Sequence, residues 1–129
     1  MTAGRAPIMW VEVADIVRAI AVVLTNPGQH QNKAYTITGS ELLTFGQVSA
    51  LLSERIGHNV RFESPNPIRY YVTKRREGMP SGLVLVMIML HFLPRFQKVP
   101  RISPDFTRLT GWQPNTVSRF IEQNVLAWI

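Results

Sequence analysis

The small number of strand patterns is the feature that most limits how this chain can fold. Only three segments, 7–13, 34–38 and 59–64, alternate apolar and polar residues with the period of two that is typical of strands. Amphipathic helix patterns separate them, and helices that follow strands are typical of α/β winding. Three short strands do not form a sheet that closes its own core, and their edges would stay unpaired. We therefore expect a partial α/β fold that is mainly helical.

Two helix patterns carry strong local signals. The segment 14–25 places apolar side chains at steps of three and four, which predicts a helix with one apolar stripe. The residues of this stripe are Val13, Ile16, Val17, Ile20, Val23 and Leu24. Before segment 45–56, Thr44 and Gln47 have the spacing of a capping box, and Gly57 follows as a left-handed C-terminal residue. Further helices are predicted over 68–77 and 83–93, from Pro104 with Ser103 as its cap, and after the cap Thr116.

Length and composition bound the class of protein. The chain has 129 residues, which allows one domain or a piece of a larger one, and its 46% of hydrophobic residues exclude a disordered tail. It has no cysteine, which excludes disulfides and thiolate metal sites and is compatible with a reducing cytosol. We therefore expect a cytoplasmic protein.

The longest apolar run, 83–93, is interrupted only by His91 and is closed by Pro94. A membrane span needs roughly 18 apolar residues or more, so this run predicts a buried or interfacial helix, and we expect no membrane partner. Inside such a run, His91 needs a hydrogen-bond partner or a cavity. It is a candidate ligand contact, although a hydrogen-bonded packing role is the commoner one for such a histidine.

Positive charge is concentrated in the second half of the chain. The net charge is +6, and nine of the fourteen basic residues fall within 55–101. Such a segment suits a nucleic acid, an anionic membrane or a phosphate-bearing ligand, or it is simply a solvated helix face. No nucleic-acid-binding motif accompanies it, and the aromatic residues lie mostly on apolar stripes. Nucleic acid is therefore not an expected partner.

No dinucleotide-binding fingerprint is present. None of the eight glycines has the G-x-G-x-x-G spacing at a strand-to-helix turn, and the three histidines are scattered, which argues against a metal site. Tyr70 and Lys74 have the Y-x-x-x-K spacing that places an ammonium beside a catalytic phenol in short-chain dehydrogenases. The strands and the serine that should precede this motif are missing, so we interpret the pair as a chance match. We expect no catalytic residue on this chain.

Five segments occur in a characteristic order. A strand leads into a helix opened by Asp15 within 11–28, Y-T-I-T-G follows at 35–39, and L-T-F-G-Q begins the segment 43–57. V-R-F at 60–62 and the tail 103–124 complete the series. From about residue 8 to residue 128, this order resembles the C-terminal half of the NmrA-like, atypical short-chain dehydrogenase/reductase family. The family has two acidic residues before the helix, and here Ala14 takes the place of the first.

The resemblance implies a partial Rossmann-type fold, with the last strand or strands and a C-terminal helical substrate-binding region. The Gly-rich half that holds NAD(P) in the family is absent, so 1–129 is expected to be a single C-terminal domain or fragment with no cofactor or metal of its own. A complete member would transfer hydride from NAD(P)H to a carbonyl or quinone-like small molecule, and this chain alone is expected to be inactive. The residues expected to line the substrate pocket are Met9, Trp10, Tyr70, Met79 and His91.

A second interpretation is a non-enzymatic regulatory or protein-interaction module of the same family, which the basic segment and the unpaired strand edges would suit. In either case, the helix 15–24 and the strand 34–38 lack the sheet on which they would pack in a complete member. Leaving their apolar side chains exposed is costly. We therefore expect a homodimer, or a higher oligomer, formed through residues 8–38.

Overall fold

The computed structural model of the chain describes residues 2–128, which are mainly helical, as the sequence predicts. Two strands and seven helices follow one another: β1 (Ile8–Met9), α1 (Val13–Thr25), α2 (Pro27–His30), β2 (Leu42–Leu43), α3 (Phe45–Ile56), α4 (Pro67–Arg76), α5 (Ser81–Phe92), α6 (Asp105–Thr110) and α7 (Val117–Gln123). A 3₁₀ turn at Leu93–Arg95 follows α5, and another at Val125–Ala127 follows α7.

The strands are fewer and shorter than predicted. Within residues 2–128 there is one sheet, in which β1 pairs antiparallel with β2, Ile8 lying opposite Leu43 and Met9 opposite Leu42. The predicted strand 7–13 is reduced to these two residues. The predicted strands 34–38 and 59–64 are wrong, because neither segment joins a sheet.

Side chains replace strand partners in both of those segments. Thr36 N donates to Asp105 Oδ2 at 2.9 Å, and Val60 N donates to Ser53 Oγ at 2.9 Å. Hydrogen bonds of this kind satisfy backbone groups that would otherwise need a neighbouring strand. In 59–64 the alternating pattern correctly indicates which side chains face water and which do not. A strand also needs a neighbouring strand for its backbone hydrogen bonds, and the described residues do not supply one.

The helix signals, by contrast, are confirmed. At the start of α3, Gln47 N donates to Thr44 Oγ1 at 3.2 Å and Thr44 N donates to Gln47 Oε1 at 2.8 Å, which is the predicted capping box. Gly57 follows α3 with a φ of 71°, in the left-handed region that favours glycine. Thr116 caps α7 and accepts from Arg119 N at 3.2 Å.

The core is small and divided among pairs of helices. α1 packs on α6, α3 on α7, and α4 on α5. The buried hydrophobic residues are Ala3, Ala6, Ala19, Tyr70, Val84, Phe106 and Ile121. Large aliphatic side chains are therefore left on the surface of several helices.

The face that α1 turns inward does not coincide with its apolar stripe. Much of the predicted apolar stripe is exposed, and the exposed members are Val13, Val17, Ile20 and Leu24. Asp15 and Ala19 are buried instead. Asp15 Oδ2 accepts from Asn115 N at 2.6 Å, and Asp15 Oδ1 accepts from Arg18 Nη1 at 3.3 Å. α1 is therefore anchored through a polar side chain, while much of its apolar stripe stays exposed.

α5 is also largely uncovered. Val84 is its one fully buried residue, and most of the aliphatic side chains of the apolar run are exposed. Of the two predicted alternatives, a buried helix is therefore wrong. Among residues 2–128, no helix combines the length and the apolarity that crossing a bilayer requires.

Candidate functional site

Three aromatic rings fix the segment 4–10 against the start of α3. Trp10 Nε1 donates to Leu43 O at 3.0 Å, and the Trp10 ring meets the Phe45 ring edge-on, with centroids 5.2 Å apart. Phe45 stacks on Phe62 at a centroid distance of 5.1 Å. Aromatic pairs in these geometries contribute packing energy beyond their buried area. The rings form an aromatic wall that holds β1, β2 and α3 together.

A cavity of about 630 Å³ opens beside this aromatic wall. Its volume lies in the range of small-molecule sites. The first turn of α3 contributes to its lining, together with residues that are far apart in the sequence. The residues that decide its chemistry are Gly4, Arg5, Phe62, Ser64 and Arg95.

The Arg95 side chain is held at the cavity by several contacts. Arg95 Nη2 donates to Ser64 Oγ at 3.0 Å, and the same oxygen accepts from Gly4 N at 2.8 Å. The Arg95 guanidinium also lies 4.8 Å from the centroid of the Phe92 ring. Gly4 has a φ of 60°, and a Cβ there would lie 2.7 Å from Arg95 Cζ. Glycine at this position therefore leaves the space that the guanidinium occupies.

Two positive charges line the cavity without a neutralising carboxylate. Within residues 2–128, four other cationic side chains form ion pairs with aspartate or glutamate, but Arg5 and Arg95 do not. Guanidinium groups donate strong hydrogen bonds to carboxylate, phosphate and carbonyl oxygens. Phe62 adds a flat apolar surface to the lining. The arrangement fits a planar molecule that carries oxygen acceptors.

A second cavity, of about 340 Å³, lies where residues 7–9 meet the end of α5 and the segment that follows it. Its lining is mainly apolar and includes Ile8, Met9 and Leu90. The two cavities are lined by neighbouring residues: Gly4 and Arg5 line the first and residues 7–9 the second, and Arg95 lines the first while Pro94 lines the second. The segment 4–9 and the 3₁₀ turn after α5 thus position both cavities.

No protein-family model matches the chain. Curated proteins do match it. The NAD(P)H azoreductase of Xenophilus azovorans is 27% identical over 128 residues, which are 99% of this chain and 44% of that protein. The agroclavine dehydrogenase of Claviceps fusiformis is 26% identical over 126 residues, which are 98% of this chain and 43% of that protein. The chain therefore spans less than half the length of these curated relatives.

Solved structures show the same partial coverage. The triphenylmethane reductase of Citrobacter sp. superposes with a TM-score of 0.79 at 21% identity, over 98% of this chain and 43% of that one. An NADPH-dependent quinone oxidoreductase of Escherichia coli, solved with NADPH, superposes with a TM-score of 0.79 at 22% identity, over 96% and 44%. At these identities the superpositions establish the fold. The chain resembles the C-terminal, substrate-side region of the NmrA-like reductases. The family resemblance seen in the sequence is thereby confirmed.

The residues of this chain do not fit the phosphates of the NAD(P) that these reductases use. Such phosphates bind to free backbone N–H groups where a helix follows a strand, and α1 and α3 are the described helices that follow β1 and β2. At α3, the capping box already uses the N–H groups of Thr44 and Gln47. At α1, the Asp15 carboxylate lies in the first turn, where it repels an anion. Within residues 2–128, no three histidine or carboxylate side chains come together as a metal site would need.

None of the five residues that the resemblance suggested for the substrate pocket lines the larger cavity. Met9 lines the smaller cavity, and Trp10 belongs to the aromatic wall. Tyr70 is buried in α4, and Met79 is half-buried in the turn before α5. His91 Nδ1–H donates to the carbonyl oxygen four residues earlier at 2.6 Å. Their role as pocket lining stays a prediction.

Tyr70 and Lys74 are close, but the lysine is committed elsewhere. Lys74 Nζ lies 6.0 Å from the centroid of the Tyr70 ring and donates to Glu77 Oε2 at 2.6 Å. The hydrogen bond that Lys74 donates to Glu77, aided by the charge of the carboxylate, raises the pKa of Lys74 above 10.5. The ammonium is neutralised by Glu77 rather than directed at the phenol oxygen. This geometry offers no support for a catalytic pair, and the chance match stays our interpretation.

Sequence reasoning missed Arg5, Ser64 and Arg95, although these residues decide the chemistry of the larger cavity. They are far apart in the sequence and share no local pattern. Two of them lie near predicted strands. Arg5 comes shortly before the predicted strand 7–13, and Ser64 ends the predicted strand 59–64.

Proposed function

We propose that this chain is the substrate-binding region of an NmrA-like, NAD(P)H-dependent oxidoreductase of the cytoplasm, and that it forms a single C-terminal domain. The observation that carries the proposal is the cavity of about 630 Å³ lined by Arg5, Phe62 and Arg95, in a chain that shares its fold with such reductases. The substrate would be a carbonyl or quinone-like small molecule. On its own the chain would bind substrate without turnover, because its residues do not fit the dinucleotide phosphates.

In this proposal each element of the cavity has a defined role. Arg5 and Arg95 donate hydrogen bonds to the oxygen atoms of the substrate. The ring of Phe62 packs against the flat face of the substrate, and the aromatic wall behind Phe62 limits its movement. Ser64 and Gly4 keep the Arg95 guanidinium in place. A substrate held in this way is oriented before any reaction, which is how binding regions contribute to rate.

A titration with NADPH tests whether this chain alone can bind the cofactor that turnover would need. Without a phosphate-binding turn, we expect a dissociation constant weaker than about 1 mM, equivalent to roughly −4 kcal/mol of binding free energy. Isothermal calorimetry measures this directly. Micromolar affinity for NADPH would contradict the proposal.

A titration with 1,4-naphthoquinone, followed by NMR, tests the cavity itself. Arg95→Gln should weaken binding about tenfold or more, since hydrogen bonds to charged donors contribute about 1.5–3 kcal/mol. Arg108→Gln is the matched control, because it removes the same charge from an exposed site on α6. Equal affinities of the two variants would show that the quinone binds elsewhere.

One observation favours the second candidate, a regulatory or protein-interaction module without turnover. The exposed side chains Val13, Val17, Ile20 and Leu24 on α1 offer a surface for another chain. A module of this kind would not bind the quinone in the cavity, and Arg95→Gln would leave its properties unchanged. The quinone titration therefore separates the two candidates.

A further inference from the structure

The outer face of α5 is apolar without interruption. Successive residues of a helix are rotated by about 100°, so residues 83–93 fall into two arcs around the helix axis. One arc is covered by the rest of the chain and includes the side chain of His91. The uncovered arc extends over about 160° and carries six aliphatic side chains, each between 46% and 60% exposed. They are Leu83, Leu85, Val86, Met89, Leu90 and Leu93. An amphipathic surface helix has the opposite arrangement, with polar residues outward.

α4, which packs on α5, also presents an unusual outer face. Five exposed residues fall within about 120° on the side opposite Tyr70, which is buried. They are Ile68, Val72, Arg69, Arg75 and Arg76. The outer face of α4 therefore carries two aliphatic side chains among three arginines. A protein core would not accept the three charges, and water would not favour the two aliphatic side chains.

The chain segments that precede and follow this apolar helix are positively charged. Residues 69–101 contain seven basic side chains and one carboxylate, Glu77, which is taken by Lys74. Arg75 and Arg76 precede α5, and Arg95 and Lys98 follow it. The exposed Phe96 lies between these last two. The charge pattern indicates that whatever covers α5 is anionic around its contact with the helix.

We propose that residues 67–101, here called the α4–α5 hairpin, dock onto an anionic phospholipid surface. α5 would lie in the plane of the interface, with its outer arc among the acyl chains and the arginines of α4 at the phosphates. A second copy fits less well, because a two-fold contact through α5 would bring two sets of seven cations together. The proposal goes beyond the substrate-binding function, and it departs from the expectation of no membrane partner that the length of the apolar run suggested.

Sedimentation with lipid vesicles tests the proposal on the full chain. We expect the chain to partition at least about tenfold more strongly onto phosphatidylcholine vesicles containing phosphatidylserine than onto phosphatidylcholine alone. Raising the salt concentration should reduce the difference, because surface charges are screened. Equal partitioning onto both kinds of vesicle, or none, would overturn the proposal.

Paired variants locate the contact. Leu85→Glu with Met89→Glu puts two carboxylates into the outer arc and should reduce partitioning about tenfold or more. Val17→Glu with Leu24→Glu is the matched control, since it makes the same change on the exposed stripe of α1. Circular dichroism confirms that both variants are folded. Equal losses from both pairs would refute docking through α5.

Light scattering, together with vesicle retention, tests the two other possible occupants of the outer face of α5, a second copy of the chain and an acidic protein. If α5 instead contacts a second copy, the wild-type chain forms a dimer that Leu85→Glu dissociates, and vesicles do not retain it. If the occupant is an acidic protein, vesicles also fail to retain the chain. Either result overturns the proposal, whereas retention that depends on phosphatidylserine and on residues 85 and 89 supports it.

Discussion

α1 and α5 both leave aliphatic side chains uncovered, but the two faces differ in width and in surrounding charge. On α1 the exposed stripe covers only about 60° of the helix, and its residues are Val13, Val17, Ile20 and Leu24. On α5 the exposed arc is more than twice as wide. α1 has the carboxylates of Glu12 and Asp15 at its start, whereas cations lie on both sides of α5.

The difference in width indicates two kinds of partner. A helix that packs on a single flat element needs only a narrow apolar stripe, because the rest of its surface stays in water. An arc of about 160° cannot be covered by one such element, and it suits a medium that surrounds half of the helix. We therefore assign the α1 stripe to another protein surface and the α5 arc to lipid.

The largest expected effect is on the free energy of unfolding, which should distinguish a core residue from a residue on the outer arc of α5. Phe106 is fully buried beneath α1, so Phe106→Ala should lower the free energy of unfolding by about 3–5 kcal/mol. Leu90→Ala, on the outer arc, should change it by no more than about 0.5 kcal/mol. Urea denaturation measures both. A loss of several kcal/mol for Leu90→Ala would show that the arc is covered in the free protein.

A smaller effect concerns assembly through α1. We expect a homodimer in solution, and Ile20→Asp should raise its dissociation constant by about tenfold or more, because it places a charge in the middle of the stripe. Leu85→Asp makes the same change on α5 and should leave the dimer intact. Light scattering at tens of micromolar measures the mass. A well-folded wild-type monomer, or a dimer that persists in Ile20→Asp, would contradict an interface built on α1.

Sequence signals were sufficient where structure depends on near neighbours. α3 has its predicted bounds because the capping residues Thr44 and Gln47 and the terminal Gly57 act within one turn of the helix ends. The fold class also followed from the order of the family segments. In both cases the information lies in residues that are adjacent or in a fixed order along the chain.

Prediction failed where distant partners decide the outcome. Which face of α1 turns inward depends on the hydrogen bond from Asn115 N to Asp15, across 100 residues. The segment 34–38 forms no strand, because the described residues supply it with no partner strand; Asp105 Oδ2 accepts from Thr36 N instead, and Ser103 N donates to Thr38 Oγ1. The larger cavity likewise needs Arg5 and Arg95 together. Hydrophobic periodicity contains no information about such pairings, so neither the polar anchor of α1 nor the cavity was predictable.

The smallest effect concerns the single carboxylate of residues 69–101. Glu77→Gln removes the partner of Lys74, so the pKa of Lys74 should fall toward its ordinary value of 10.5. Because the folded-state pKa is raised, the stabilisation from this pair is complete below 10.5 and is lost only as the pH rises through the folded-state pKa. The pair is exposed, so the melting temperature at pH 7 should not change measurably.

Vesicle binding should respond to Glu77→Gln even though stability does not. The substitution increases the positive charge of the α4–α5 hairpin by one, which should strengthen partitioning onto phosphatidylserine vesicles by about fivefold. Glu54→Gln changes the net charge by the same amount on the exposed surface of α3, outside the hairpin, and is the matched control. It should have a clearly smaller effect, because the influence of a surface charge decays over about 10 Å at 0.1 M salt. If both variants strengthened binding equally, the attraction would come from the net charge of the chain, and the charge contrast between α1 and α5 would have no role in membrane docking.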